Sequence, residues 1–208
     1  AGEVIGAFAT AEGKGPVTVR SIKTSVSGGK LTGEKIPVTD GDVADLIVVL
    51  AKDGLYLVEK GEGVSAEVLT TLDPTRSAAK LTFSGAPAER LGDEDGIAAM
   101  QAVFDRAAIL LAFEQVGGSD KCLEMAKAYA LERHAFGRAI AGYQAIKHKL
   151  ADIYVKNEIA RSNAYYGAWA LNTDAGELPL AAATARVAAS EAFWFASKAV
   201  SYTHLRAH

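Results

Sequence analysis

The segment ALERHAFGRAIAGYQAIKHKLAD, Ala130 to Asp152, separates two long helical runs. Before it, Ile97, Met100, Phe104, Leu111 and Leu123 recur at helical spacing. They predict a helix that starts at an Asp93 N-cap, carries Glu94 and Asp95 in its first turn, and ends near Arg133. Gly117-Gly118 lies inside this helix. A glycine there costs about 1 kcal/mol relative to alanine, so the pair marks a kink or a close helix contact. After the segment, Ile146, Leu150, Ile153 and Ile159 mark the buried stripe of a second helix, from about Tyr143 to Leu171. Asn172 to Gly176 break it. A third helix begins near Leu178 and holds Ala181, Ala182, Ala183, Ala185, Ala188 and Ala189. Long helices joined by short turns are antiparallel neighbours, and small residues let them approach closely. The segment itself has two readings. Arg133 and Arg138 flank an aromatic, Phe136, and a turn-forming Gly137, with the amide of Gln144 opening the next helix. Guanidinium forks suit phosphate or carboxylate, so the group fits a nucleotide. The plainer reading is a helical hairpin with solvated arginines.

Upstream of about Gly92 the pattern is β. VTVRSIKTSV (17–26) and KLTGEKIPV (30–38) are joined by Ser27-Gly28-Gly29, a hairpin signal. DLIVVLA and LYLVEK flank Lys52-Asp53-Gly54 and read as adjacent strands. AAKLTFSG alternates, with Leu81 and Phe83 on one face, after a turn at Asp73-Pro74-Thr75. Strands at this spacing predict an antiparallel sandwich or barrel. The expected fold class is α+β with segregated domains: a β domain over 1–92, then an incomplete antiparallel up-down helical bundle over 93–200. The closing VSYTHLRAH resembles the translation of a transposase-end sequencing adapter. Residues 201–208 are therefore expected to be a non-native tail, and His204 and His208 are not read as ligands.

Composition narrows the function. With 208 residues and 50% hydrophobic content the chain makes one large or two small domains. A net charge of -3 and no basic patch give no attraction for nucleic acid or an anionic membrane. No uninterrupted apolar run reaches the roughly 18 residues of a membrane span. The single Cys122 sits in a helical pattern and reads as a small hydrophobe, which fits a reducing, cytoplasmic compartment. The chain starts at Ala1 with no signal-peptide pattern.

From Tyr129 to Arg161 the sequence resembles the signature of the acyl-CoA dehydrogenase family: Tyr-Ala-x-x-Arg-x-x-Phe-Gly-x-x-Ile, then Gln-Ala-Ile, Leu-Ala-Asp and Glu-x-Ala-Arg. Tyr129, Arg133, Phe136, Gly137, Ile140, Gln144, Leu150, Ala151, Asp152, Glu158 and Arg161 are in register. AFATAEG is similar to the family's Thr-Glu-Pro segment, GEKIPVTDG to its Gly-x-Lys and aromatic-x-Thr-Asn-Gly strands, and AERLGDEDGIAAM to its passage into the helical domain. The resemblance extends over nearly all of Ala1 to Ala199. It implies a bacterial fragment of a middle β domain and a C-terminal helical domain. It also implies FAD held between domains and across a subunit interface, so that a partner subunit shares the site.

In the family a carboxylate takes the α proton of an acyl-CoA thioester and the β hydrogen leaves as hydride to flavin N5; an electron-transfer flavoprotein is the usual acceptor. By resemblance, Arg133 meets the FAD pyrophosphate of the neighbouring subunit, Phe136 lies against the cofactor, Gln144 is near the adenosine part, and Thr39 hydrogen-bonds near flavin N5.

The departures are specific. Pro37 stands where a Trp wall is common, GKGPVT replaces the Gly-x-Gly-Ser-Asp run after Glu12, and DPTRSAA replaces a Gly-rich segment. The base slots in the first long helix hold Ala107 and Ala108. Glu114, two turns on and on the same face, is the remaining candidate base if buried. Asp105 and Arg106 read as an exposed charged pair. The implied parent is an acyl-CoA dehydrogenase, or a partner-dependent or non-catalytic relative that kept the fold. The 208 residues alone are expected to bind FAD weakly, to turn nothing over, and to expose apolar helix faces prone to aggregation.

Overall fold

A computed structural model describes residues 2–93 and 95–204. The chain divides into two compact units, Ala1–Ala102 and Val103–His208.

The first unit is a β-sandwich. One sheet has the order β1(Gly6–Ala9)-β4(Leu46–Ala51)-β5(Gly54–Glu59)-β8(Glu89–Leu91), and the other β2(Ser25–Ser27)-β3(Lys30–Thr39)-β7(Ala78–Pro87)-β6(Val64–Val68). Pairing is antiparallel throughout except between β1 and β4, which run parallel. Alternation places Leu31, Val38, Leu81 and Phe83 of one sheet and Ile47, Val49 and Val58 of the other in one buried cluster. The β2–β3 hairpin turns on Gly28 and Gly29, whose φ values of 57° and 72° are those of a type I′ turn. β4 and β5 turn on Lys52 and Asp53, with Ala51 opposite Gly54. Asp73 accepts from the Thr75 N–H at 2.9 Å and so makes the expected turn.

The strand expected over 17–26 shortens to Ser25–Ser27. The backbone donors before it are taken by side chains instead of a ladder. Thr18 N–H donates to Ser21 Oγ, and the Lys23 and Thr24 N–H groups donate to the Glu12 carboxylate. The N-cap of α1(Gly96–Glu132) is Asp95, not Asp93: its Oδ1 accepts from Ile97 N–H at 2.8 Å, the reach of a cap one residue before the first helical position. Glu94 lies outside the described residues. The first two turns of α1 belong to the sandwich unit, beyond the compositional change at Gly92. Ile97 and Met100 pack with Ile22 and Leu50, and a β carbon on Gly96 would meet Gly54 C at 2.8 Å.

The second unit packs the rest of α1 with α2(Gln144–Asn172) and α3(Leu178–His204). Its seam is made of mostly small residues spaced three or four apart: Ala112 and Val116 on α1, Ala160 and Ala164 on α2, and Ala185, Ala189 and Ala192 on α3. Phe104, Leu111 and Ile159, expected in the buried stripes, are exposed. Alanine at the contact positions lets the helices lie close together, and these three side chains fall on other faces, whereas Ile109 and Ile153 are buried. Gly118 confirms the close approach, since a β carbon there would lie 2.8 Å from the Phe193 ring. Cys122 is half-buried beside Leu123, Leu150 and Phe195, and burial pushes its thiol up. By length and composition α1 is long and apolar enough to cross a membrane, and it packs here against α2 and α3. The helix of α3 continues to His204, while residues 205–208, including His208, lie outside the described residues.

Candidate functional site

The connection between α1 and α2 is itself a short β-hairpin. β9(His134–Ala135) and β10(Arg138–Ala139) pair antiparallel, with Ala135 opposite Arg138, so Phe136 and Gly137 alone form the turn. Their φ values are 51° and 81°. A two-residue turn with both residues left-handed matches the twist of a hairpin; glycine takes it freely, while phenylalanine does not. Phe136 is 90% exposed at the tip. Ile140 N–H donates to Arg133 O at 2.8 Å and closes the hairpin base. A 3₁₀ turn, Ile140–Gly142, then leads into α2, whose first residue is Gln144. The N-cap, Tyr143, gives α2 no side-chain cap, which leaves its first amides to outside acceptors.

Three of the expected cofactor residues, Arg133, Phe136 and Gln144, therefore share one exposed hairpin and helix start. They differ in chemistry. Arg133 offers a permanent cation, Phe136 a bare aromatic face, and Gln144 a two-sided amide beside uncapped helix donors. That set matches the pyrophosphate and ring parts of a dinucleotide. The two arginines are not equivalent: the Arg138 guanidinium lies 4.0 Å over the Tyr143 ring.

Thr39 belongs to the other unit. It ends β3, is exposed, and pairs with Ala78. Behind this strand lies a feature the sequence reading missed. Lys35, fully buried, donates to Glu12 Oε1 at 2.8 Å and to Thr10 O at 3.2 Å. Glu12 also accepts from Thr24 Oγ1 at 2.6 Å and from the Lys23 and Thr24 amides. The signal was present in the Gly33-Glu34-Lys35 match, where a lysine stands in step with the buried Leu31, four residues before it on the same face of β3.

Burial raises the Glu12 carboxyl, but hydrogen bonds from Lys35, Thr24 and Lys23 reverse that and hold it at about 2 instead of the ordinary 4.5. A depressed folded-state value contributes stability above pH 4.5 that is lost as pH falls toward 2. Denaturant titrations of the wild type across this window are expected to show a loss of about 3 kcal/mol from this group. Glu12→Gln should flatten that part of the profile, and an unchanged slope would contradict the assignment.

Glu114 is exposed on α1, so the burial its reading as a base requires is absent. Ala107 and Ala108 occupy the other slots. Asp105 and Arg106 are not an exposed pair: Asp105 is 9% exposed and falls in the inward stripe four residues before Ile109, whereas Arg106 is exposed. Two signature residues have a structural place. Arg161 donates to both Asp120 oxygens at 2.8 and 2.7 Å and to Glu158 Oε1 at 3.2 Å, while Asn157 Nδ2 donates to Asp120 Oδ1 at 2.6 Å. These contacts tie α2 to α1. Asp120 and Asn157 were also missed; the signal was a polar pair set into otherwise alanine-lined seams.

A β-sandwich unit, an alanine-seamed helical unit and an exposed Arg-Phe-Gly hairpin define the class, and comparison with known proteins agrees. Residues 94–202, just over half the chain, match the model of the acyl-CoA dehydrogenase C-terminal domain. The chain belongs to the acyl-CoA dehydrogenase family. It is 41% identical over 157 residues to acyl-CoA dehydrogenase IpdE2 of Mycobacterium tuberculosis, covering 74% of this chain and 43% of that protein. Among solved structures, a chain of an electron transferring flavoprotein of Acidaminococcus fermentans superposes with a TM-score of 0.88 at 27% identity, over 97% of this chain and 58% of that one. The Tcur3481-Tcur3483 steroid ACAD superposes at 0.82 with 29% identity, over 95% and 55%. The chain thus spans about half the length of the proteins it matches.

Proposed function

We propose that the whole protein is an FAD-dependent acyl-CoA dehydrogenase that removes the α and β hydrogens of an acyl-CoA thioester. The exposed hairpin carries this reading: Arg133, Phe136 and Gln144 stand together, unmasked by the described residues, at the start of an uncapped helix. When bound, the flavin would accept the hydride. Arg133 would neutralise the pyrophosphate, Phe136 would cover a ring face, Gln144 would hydrogen-bond the adenosine end, and Thr39 would offer its hydroxyl to the flavin edge. A partner subunit sharing the site, an electron-transfer flavoprotein as acceptor and a bacterial cytoplasm complete the proposal. The likeness to the Acidaminococcus fermentans chain supports the acceptor.

A second reading rests on the vacant base slots. With Ala107 and Ala108 in place and Glu114 exposed, the protein would be the partner-dependent subunit of a heteromer whose other subunit supplies the carboxylate. On either reading the 208 residues alone are expected to turn nothing over.

The test is the full-length protein. It should purify yellow, and an acyl-CoA should bleach its flavin band, alone on the first reading and only with a partner subunit on the second. A stable, colourless protein would leave a binding module that kept the fold. Arg133→Ala is expected to weaken FAD binding about 10- to 100-fold, the worth of a charged hydrogen bond to phosphate. Equilibrium dialysis against FAD measures this, and an unchanged affinity would remove Arg133 from the site.

A further inference from the structure

Resting on the FAD reading above, we propose that Tyr143 is a positioning residue that clamps the Phe136-Gly137 turn and thereby presents Phe136, Arg133 and Gln144 as one surface. The hairpin has little else to hold it. Its strands are two residues each, and so short a ribbon is not stable in isolation. Its turn places a bulky side chain at φ 51°, a conformation that a β carbon disfavours. Phe136 recovers nothing by packing, because it is 90% exposed.

Tyr143 grips the turn from both sides. Its hydroxyl donates to Ala135 O at 2.9 Å, and its ring lies under the Arg138 guanidinium at 4.0 Å. Ala135 and Arg138 are the facing pair that brackets Phe136 and Gly137. The Tyr143 N–H donates to Ile140 O at 3.1 Å, and Ile140 N–H donates to Arg133 O. One residue therefore joins the turn, the hairpin base and the N-cap of α2, directly before Gln144. The clamp also separates the two arginines by task. Arg138 is spent on the ring, while the Arg133 guanidinium has no hydrogen bond or ion pair among the described residues; its backbone N–H and C=O bond Tyr129 O and Ile140 N–H.

The experiment compares Tyr143→Phe and Tyr143→Leu in the full-length protein, by hydrogen exchange of the 134–139 amides without FAD and by FAD affinity. Removing the hydroxyl alone is expected to speed local exchange and weaken FAD about 3- to 10-fold, and removing the ring as well about 10- to 30-fold. Partial rescue by phenylalanine and a change confined to the hairpin mark positioning. Unchanged exchange in Tyr143→Leu, or faster exchange spread evenly through α1 and α2, overturns the clamp. If the wild type binds no FAD while the Leu variant still loosens 134–139, the clamp stands and the cofactor reading falls.

Discussion

Replacing Lys35 with methionine is expected to cost the sandwich unit about 3–5 kcal/mol. Lys35 is fully buried and donates to Glu12 and to the Thr10 carbonyl. Without it, Glu12 keeps Thr24 and the two amides but loses its cationic partner among the described residues, inside a site with little access to water. An uncompensated buried charge is expensive, whereas replacing both members by apolar groups of similar volume is often close to neutral. The double variant Lys35→Met with Glu12→Leu should therefore recover part of the loss. It should not recover all of it, because the Lys23 and Thr24 amides then lack their acceptor. Urea unfolding of the two variants gives the comparison. Equal and small losses in both would mean that the pair does not hold the loop. The loss matters in proportion: a domain's whole stability is about 5–15 kcal/mol. The same pair anchors the segment that is similar to the family's Thr-Glu-Pro stretch, so its loss would loosen the loops around β3, the strand that ends in Thr39.

Asp120→Ala is expected to destabilise the helical unit by about 2–4 kcal/mol. Most of this comes from Asn157, not from Arg161. Asn157 is 1% exposed, its Oδ1 has no hydrogen-bond partner among the described residues, and its Nδ2 bonds Asp120. Removing Asp120 leaves the whole amide unsatisfied in an apolar seam, at about 1–3 kcal/mol for a buried group. The Arg161 pair is partly exposed and adds about 1 kcal/mol at most. The cluster has a second consequence. Alanine recurs along α1, α2 and α3, so apolar packing distinguishes poorly between registers one heptad apart. A polar contact at one level breaks that degeneracy, as a buried asparagine does in a coiled coil. Asn157→Leu with Asp120 intact should then cost little stability yet broaden the NMR signals of the seam residues. Sharp, wild-type-like spectra would refute the register role, and a thermal midpoint unaffected by Asp120→Ala would refute the energetic one.

These contacts show where the sequence was legible and where it was not. The hairpins at Gly28-Gly29 and Lys52-Asp53 were readable because their turn residues and strand alternation are local properties. The three helices were readable for the same reason, from breakers and small-residue repeats. Their buried faces were read less well. Phe104, Leu111 and Ile159 were assigned inward by size, but the positions facing the seam are mostly alanine, with Ile109 and Ile153 as the large exceptions, and these three fall outside them. Asp105 was assigned outward by charge, and the same four-and-three stepping carries it inward. Size and charge are properties of a residue, whereas the depth of a seam is a property of the helix pair.

The segment from Ala130 to Asp152 divides in the same way. The sequence by itself determined that a turn lay there, that Arg133, Phe136 and Gln144 were its chemically distinct members, and, through the signature, which family it resembled. Only the tertiary structure decided that the turn is a two-residue β-hairpin with Phe136 at its tip, that Arg138 is held by Tyr143 while Arg133 stands exposed, and that Glu158 and Arg161 tie α2 to α1. The physical reason is range. Turn chemistry and helical periodicity act within a few residues, but a guanidinium's partner is fixed by which elements the fold brings to it.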